Sequence, residues 1–591
     1  MTLPTKCFSF RNHKKSIRMV CILKDKVIKR FKNIKELLYH SAKIYADNVA
    51  FMVKSKSKEG IKYTEHTYLD LLNDINCFGT ALHKLGLKEK RVAVIGHNCY
   101  EWAVAHLANL MGDIVSVPLD KGLQIGELES SLIRSKVDAV VFDHKLKDII
   151  REIKERGNTQ IHHYICMEKT DEFLYFYDLL ESGKKEIEDG NNEYVNCKID
   201  EYKMSILLFT SGTTSRSKAV MLNQYGIATN IYDMQLVETF YTDDVNIAFL
   251  PFHHIFGSTG MLVMLASGVK TVFPDGLKYI QQNLVEYKVS VFIGVPILID
   301  KMYSNIMKEL KKQKKDKIIK FLVKFSNLLL KCHIDVRNTF FKPINNAIGG
   351  NMRTIISGGA PLDANVAKWF NEIGIRLVQG YGLTETSPVI AAENDYLIKS
   401  GTVGLPMKNV EIKIENADAN GIGEIKVKGP NVMLGYYEDE EQTKEVLKNG
   451  WFYTGDLGFI DKDGVLSITG RKKDLIVLKN GKKVFPEEIE ILINRLEEVE
   501  ESFVYGLPDE NDKNDVKVAV KIVYDEKTVK SKYPNASLEE LNKIIWDKIK
   551  EINQTLPMYK HVKKLSLTSE PLIKTSTNKI KRNEELKKIL M

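Results

Sequence analysis

A chain of 591 residues is too long for a single hydrophobic core, so at least two domains are expected. Its 44% hydrophobic and 28% charged residues are those of an ordinary soluble globular protein. The 86 basic and 77 acidic residues leave a net charge of +9, dilute over this length, which suits small polyanionic substrates or an anionic membrane surface and is no nucleic-acid signature. The seven cysteines (Cys7, Cys21, Cys77, Cys99, Cys166, Cys197, Cys332) form no C-x-x-C pair, and the thirteen histidines show no H-E-x-x-H pattern. That argues against a disulfide framework or a zinc site and for a reducing, cytoplasmic setting.

Residues 1–34 begin "MTLPTKCFSFRNHKKSIRMVCILKDKV", basic but without the apolar core of a signal peptide. They are expected to be a disordered leader, with Met19 as an alternative start. Helical patterning begins with "FKNIKELLYHSAKIY". The stretch 67–85 reads as an amphipathic helix, 91–96 as a buried strand, 99–114 as a second helix and 138–143 as another strand. That alternation predicts layered α/β structure with parallel strands. The stretch "GMLVMLASGV" (260–269) is too short to span a bilayer and reads as a buried helix. A basic insert, "KELKKQKKDKIIKFLVKFSNLLLKC" (308–332), reads either as a solvated helix hairpin over the core or as an amphipathic patch on anionic lipid.

From about Glu411 the texture turns to short strands and Gly-rich turns, with a hairpin turning at Asp463-Gly464, so a small β-rich subdomain is expected at about 401–470. Beyond residue 470, "FPEEIEILINRL" has Pro486 at a helix start, and "VKVAVKIVYD" (516–525) alternates as a half-buried strand does. The predicted organisation is an α/β domain at 35–470 and a smaller α+β domain at 471–591.

Chemistry-bearing residues gather at strand exits. "LLFTSGTTSRSKAV" (207–220) ends an apolar strand in a run of hydroxyls with Gly212 and Lys218, a cradle for phosphate oxygens or a polar surface turn. It is not a Walker A loop, because Ser217 precedes the lysine and Ala219 follows it. In "QGYGLTETSP" (379–388), Tyr381 offers a face for a base, Thr384 a phosphate donor and Glu385 an oxygen for a hard cation, although Thr384-Glu385 also suits a helix cap. "IISGGAPL" (355–362) ends a strand in two glycines, where backbone can approach a flat ligand. "WFYTGDLG" (451–458) places Asp456 at a strand end, to accept from ribose hydroxyls or to form a turn.

With "LPFHHIFG", "GRKKDLIVLKNGKKVFPEEIE" and "TNKIKR", these motifs in this order resemble the adenylate-forming superfamily, and within it bacterial long-chain fatty-acid–CoA ligases. The resemblance runs from about residue 35 to the end. It implies a large N-terminal domain of layered α/β subdomains with a small β-rich subdomain, and a mobile C-terminal α+β domain. It implies ATP-dependent activation of a fatty acid to acyl-AMP, release of pyrophosphate and transfer to CoA. An acyl–carrier-protein ligase and a non-catalytic nucleotide-binding relative are the alternatives.

Carried over by position, Thr210, Ser211, Gly212, Thr213, Thr214 and Lys218 would grip the β- and γ-phosphates. Gly359, Ala360 and Tyr381 would line the adenine, and Asp456 and Arg471 the ribose. Thr384 would meet the α-phosphate, while Glu385 with Thr210 would hold Mg²⁺. His254, rather than His253, would border the carboxylate, and Lys579 would approach carboxylate and α-phosphate. Lys473 falls at the hinge and Asn480, Gly481 and Lys482 in the loop on the CoA side. Fatty acid, ATP and CoA are thus the implied partners, with peripheral membrane contact through 308–332 and no nucleic acid. Two positions depart from the family's pattern: its loop reads Gly-x-Pro-Lys-Gly where this chain has Ser215-Arg216-Ser217-Lys218-Ala219, and Asn578 stands where glycine precedes the lysine.

Overall fold

The computed structural model describes residues 28–210, 217–508, 516–574 and 580–590. Two large sheets dominate. In the eight-stranded one, strands Met204–Thr210, Val115–Leu119, Arg91–Ile95, Ala139–Phe142, His163–Cys166 and Leu174–Tyr175 run parallel, with Lys218–Asn223 and Gly435–Tyr436 added antiparallel at one edge. In the nine-stranded one, Arg376–Gly382, Thr354–Ser357, Val291–Gly294, Val245–Ile247, Lys270–Val272 and Val49–Ser57 are parallel neighbours.

Helices fill the space between the sheets. Tyr100–Met111 is buried at every position but Glu101, as a helix apolar all round must be. Tyr68–Lys84 turns Tyr68, Leu71, Ile75, Phe78 and Leu82 inward. It starts where the sequence places it because Thr67 and Asp70 form a capping box. Ile255–Ala266 carries the "GMLVMLA" run into the same core, and among the described residues no helix is long and apolar enough to cross a membrane.

Strands Glu411–Glu415, Gly423–Lys428, Trp451–Ile460 and Leu466–Arg471 build a separate β-rich sheet. Beyond it, Val499–Pro508, Val516–Tyr524 and Lys564–Thr568 form a three-stranded sheet that packs Ile545 and Ile549 of helix Leu538–Gln554 and Ile489 and Ile493 of helix Pro486–Ile493. Two expectations change here. The stretch 516–525 alternates in sequence, yet Val518 to Val523 are all buried, because this is the central strand. Lys521 tolerates that position by donating to buried Glu585 at 2.6 Å. Asp456 lies inside the ten-residue strand Trp451–Ile460 rather than at its end. The register shifts just beyond it and Gly455 takes φ +71°, the turn-like feature that the Gly-Asp-Leu-Gly pattern suggested.

The basic insert is a helix hairpin, Pro296–Lys312 and Asp316–Lys331. On it Lys311 pairs with Glu497 of the C-terminal part, and beyond it Arg495 grips Asp363 with two bonds of 2.7 and 2.9 Å. Near Asp363, Asp300 keeps its buried Oδ1 without a described hydrogen-bond partner, and burial, then the charge of Asp363, push its carboxyl up to about 7. A carboxyl raised on folding gives stability that is full below its unfolded value, about 4, and lost as pH rises through 7. Asp300→Asn is therefore expected to melt with wild type near pH 4 and above it at pH 8, by about 2 kcal/mol after allowance for residual hydration. Parallel melting curves across that window would refute the assignment.

The carboxyl ends of the parallel strands open on one side, where α/β sheets bind their ligands. Thr210, Ser357 and Gly382 all close strands at such an edge.

Candidate active site

Strand Met204–Thr210 is paired with Lys218–Asn223, so Thr210 and Lys218 face each other directly across the turn. Thr210 donates from Oγ1 to the Lys218 carbonyl at 3.4 Å. Ser211, Gly212, Thr213 and Thr214 lie outside the described residues. The Lys218 ammonium sits 4.6 Å from the centre of the Tyr436 ring, and the Tyr436 hydroxyl donates to Glu385 Oε1 at 3.0 Å. Burial, and then the Glu385 charge, raise that phenol's pKa, so it stays a donor. Lys218 and Glu385 therefore meet on one aromatic ring.

Glu385 and Thr384 belong to a 3₁₀ turn, Thr384–Thr386, rather than to an α-helix start. The turn follows strand Arg376–Gly382, where a Cβ on Gly382 would stand 1.9 Å from the Pro388 carbonyl oxygen. The Met433 N–H donates to the Glu385 carbonyl at 2.8 Å and Asn431 Nδ2 to that of Thr386 at 2.9 Å, so the segment leading to Tyr436 straps the turn in place.

Asp456 is 3% exposed. Its Oδ2 accepts from the Tyr381 hydroxyl at 2.6 Å, and its Oδ1 forms an ion pair with Arg471 Nε at 3.0 Å. Burial, and then the neighbouring carboxylate, hold the Tyr381 phenol protonated. A carboxylate oxygen carries two lone pairs, so each can accept from more than one donor. Gly359, at φ +87°, and Ala360 are exposed at the end of strand Thr354–Ser357. Gly358 passes so close to the Phe256 ring that a Cβ would stand 3.0 Å from it.

His254 precedes helix Ile255–Ala266, its ring centre 4.4 Å from that of His253. His253 lies 3.6 Å from Asp120, a carboxylate that no motif marks. Lys473 is exposed in the turn Lys472–Asp474; desolvation of its ammonium lowers the pKa, opposed by the charge of Asp474 and aided by that of Arg471.

One predicted group is not brought to this centre, and another lies outside the described residues. Asn480, Gly481 and Lys482 form an exposed turn between short strands Ile476–Val477 and Lys483–Val484, with Lys482 over the Tyr559 ring at 4.8 Å. Lys579 lies outside the described residues, although its flanks are fixed: Lys574 bridges Ile580, and Glu585 accepts from the Ile573 N–H at 2.9 Å. Tyr436 is the residue that sequence reasoning missed. Its only local signal is an aromatic after Gly435, and a register pairing with Val220 brings it in.

The sequence profile of the AMP-binding enzyme family matches residues 38–437, and that of the AMP-binding enzyme C-terminal domain matches residues 473–589. Long chain acyl-CoA synthetase 4 of Arabidopsis thaliana is 30% identical over 499 residues, which cover 75% of this chain and 72% of that protein. Fatty acyl-CoA synthetase B of Dictyostelium discoideum is 28% identical over 513 residues, 79% of this chain and 74% of that one. Among solved structures, ATP-bound MatB from Rhodopseudomonas palustris shares the fold with a TM-score of 0.71 and 24% identity, over 93% of this chain and 98% of that one. Lys218, Tyr381 and Glu385 sit inside a matched profile that spans more than half of the sequence, and the chain belongs to the AMP-binding enzyme family.

Proposed function

We propose that the protein activates a long-chain fatty acid with ATP and passes the acyl group to CoA. The supporting observation is the convergence of Lys218, Glu385 and the Tyr381–Asp456–Arg471 set at the carboxyl edge of two parallel sheets. In the first step a carboxylate oxygen attacks the α-phosphorus of ATP and the bond to pyrophosphate breaks. In the second the CoA thiol, losing its proton, attacks the acyl carbon and AMP departs.

The residues in place suit these steps. Asp456 and Arg471 orient the ribose, while Thr384 and Lys218 offer donors to the phosphates. Glu385, with Thr210, presents the hard oxygen donors that fit Mg²⁺, which when bound neutralises phosphate charge. His254 borders the acyl carboxylate, and Lys579 supplies the cation for adenylation. We assign Lys473 as the pivot and residues 480–482 to the second half-reaction. Long-chain preference is tested by pyrophosphate exchange over acids from acetate to oleate and benzoates, followed by assay with CoA. Exchange with oleate roughly tenfold above acetate and benzoate is expected, and equal rates would refute the chain-length reading.

The membrane-contact reading of 308–332 also gains support. Helix Asp316–Lys331 packs Val323 and Ser326 inward and leaves Phe321 66%, Ile318 57% and Leu328 57% exposed on its outer face, with Lys317, Lys320, Lys324 and Lys331 among them. Apolar wedges inside a basic field suit an anionic bilayer surface, the source of a fatty acid substrate. Sedimentation with phosphatidylglycerol vesicles but not with phosphatidylcholine ones is expected, and lost in Phe321→Ser/Leu328→Ser. Equal sedimentation of that variant would overturn this contact.

A further inference from the structure

The departure at Ser217 has a structural counterpart on the neighbouring helix. Arg134, in the last turn of helix Ile125–Ser135, donates from Nη1 to Ser217 Oγ at 3.1 Å and from Nη2 to the Ser217 carbonyl at 3.0 Å. The same guanidinium lies 5.2 Å from the centre of the Phe209 ring. Phe209 closes the apolar strand before the hydroxyl-rich turn, and Ser217 follows that turn, directly before Lys218. One side chain therefore touches both flanks of the segment whose ends are Thr210 and Lys218.

We infer that Arg134 is a positioning residue for nucleotide binding: by gripping Ser217 and stacking on Phe209 it fixes the backbone that aims Lys218 at the ATP phosphates. A proline restrains its own φ with no partner at all, whereas a serine does not. Serine offers instead a hydroxyl, and a charged planar donor of fixed geometry can seize that hydroxyl and the adjoining carbonyl together. The strand beyond is held as well, because the Tyr437 N–H donates to the Ala219 carbonyl at 2.8 Å and Arg91 donates to the Tyr437 hydroxyl at 2.7 Å. Lys218 is thus secured on its far side by a sheet edge and on its near side by Arg134. Losing the grip should loosen ATP binding by roughly one order of magnitude, about 1.4 kcal/mol, because the loss acts on Lys218 only through its backbone.

This inference rests on the nucleotide reading above, and a double-mutant cycle on the full-length protein separates the two. Arg134→Met keeps the apolar stem over Phe209 and removes the donors. ATP-dependent pyrophosphate exchange should show the KM for ATP raised about tenfold, with kcat, the KM for the fatty acid and the melting temperature close to wild type. Ser217→Ala should raise the KM for ATP about threefold, and the double variant should be no worse than Arg134→Met alone. Ser217→Pro placed in the Arg134→Met background should recover most of the lost affinity. An unchanged KM for ATP in Arg134→Met, additive effects of the two substitutions, or no recovery with proline would each overturn the positioning role while leaving the proposed activity standing. A wild-type protein with no exchange would remove both.

Discussion

Lys579→Ala is expected to cripple acyl-adenylate formation, with pyrophosphate exchange about 10²–10³-fold below wild type, while a supplied acyl-adenylate is still converted to acyl-CoA within about twofold. The magnitude follows from what one well-placed charge contributes where negative charge develops in the transition state, about 3–4 kcal/mol. The asymmetry follows from domain organisation. Lys579 lies in the C-terminal domain profile, whereas Lys218, Glu385 and Asp456 are anchored to the sheets of the larger part. A group carried on a separate body can serve one half-reaction and be absent from the other. The described flanks favour delivery as a unit: Lys521 and the Ile573 N–H both donate to Glu585, and Arg582 donates to Glu490 at 2.9 and 3.1 Å. Substitution of Lys579 therefore should not unfold its surroundings, and a melting temperature close to wild type is the control. Equal loss of both half-reactions would end this division of labour.

The large domain was legible because its elements are locally consistent. Thr67 and Asp70 signal a helix start beside an apolar stripe, and short apolar runs such as Arg91–Ile95 are what buried parallel strands look like. The grouping of Tyr381, Asp456 and Arg471 was legible too, since each sits in a distinctive motif and the three do meet. Contacts made by pairing across long stretches of chain were not. Tyr436 joins Lys218 to Glu385 only because Gly435–Tyr436 forms an edge strand beside Lys218–Asn223, more than two hundred residues away in sequence. Arg134 reaches Ser217 by crossing from a helix to the sheet, and nothing around it in sequence marks it apart from any other helix-end arginine. The alternation of 516–525 misled for a related reason. Burial of its second face depends on helices and on strand Lys564–Thr568, contributed some forty residues later.

Asp456→Asn carries the other large expected effect, a rise of about 10²–10³-fold in the KM for ATP and a matching loss of AMP affinity by calorimetry. A carboxylate that accepts from two ribose hydroxyls contributes about 1.5–3 kcal/mol per bond, and an amide keeps only one acceptor oxygen. The Tyr381 hydroxyl donates to Oδ2 and the Arg471 guanidinium pairs with Oδ1, so each carboxylate oxygen is oriented before any nucleotide arrives. Asparagine must place its NH₂ toward one of those donors, which turns an attraction into a clash of donors. The same substitution leaves the Arg471 charge without its partner, and a lower melting temperature should accompany the loss of affinity. Tyr381→Phe separates the two contributions: it removes one orienting bond but keeps the charge pair, so the KM for ATP should rise only about tenfold, with little change in melting. If Asp456→Asn instead binds ATP as wild type does while melting lower, the aspartate is a structural partner of Arg471 and the ribose lies elsewhere.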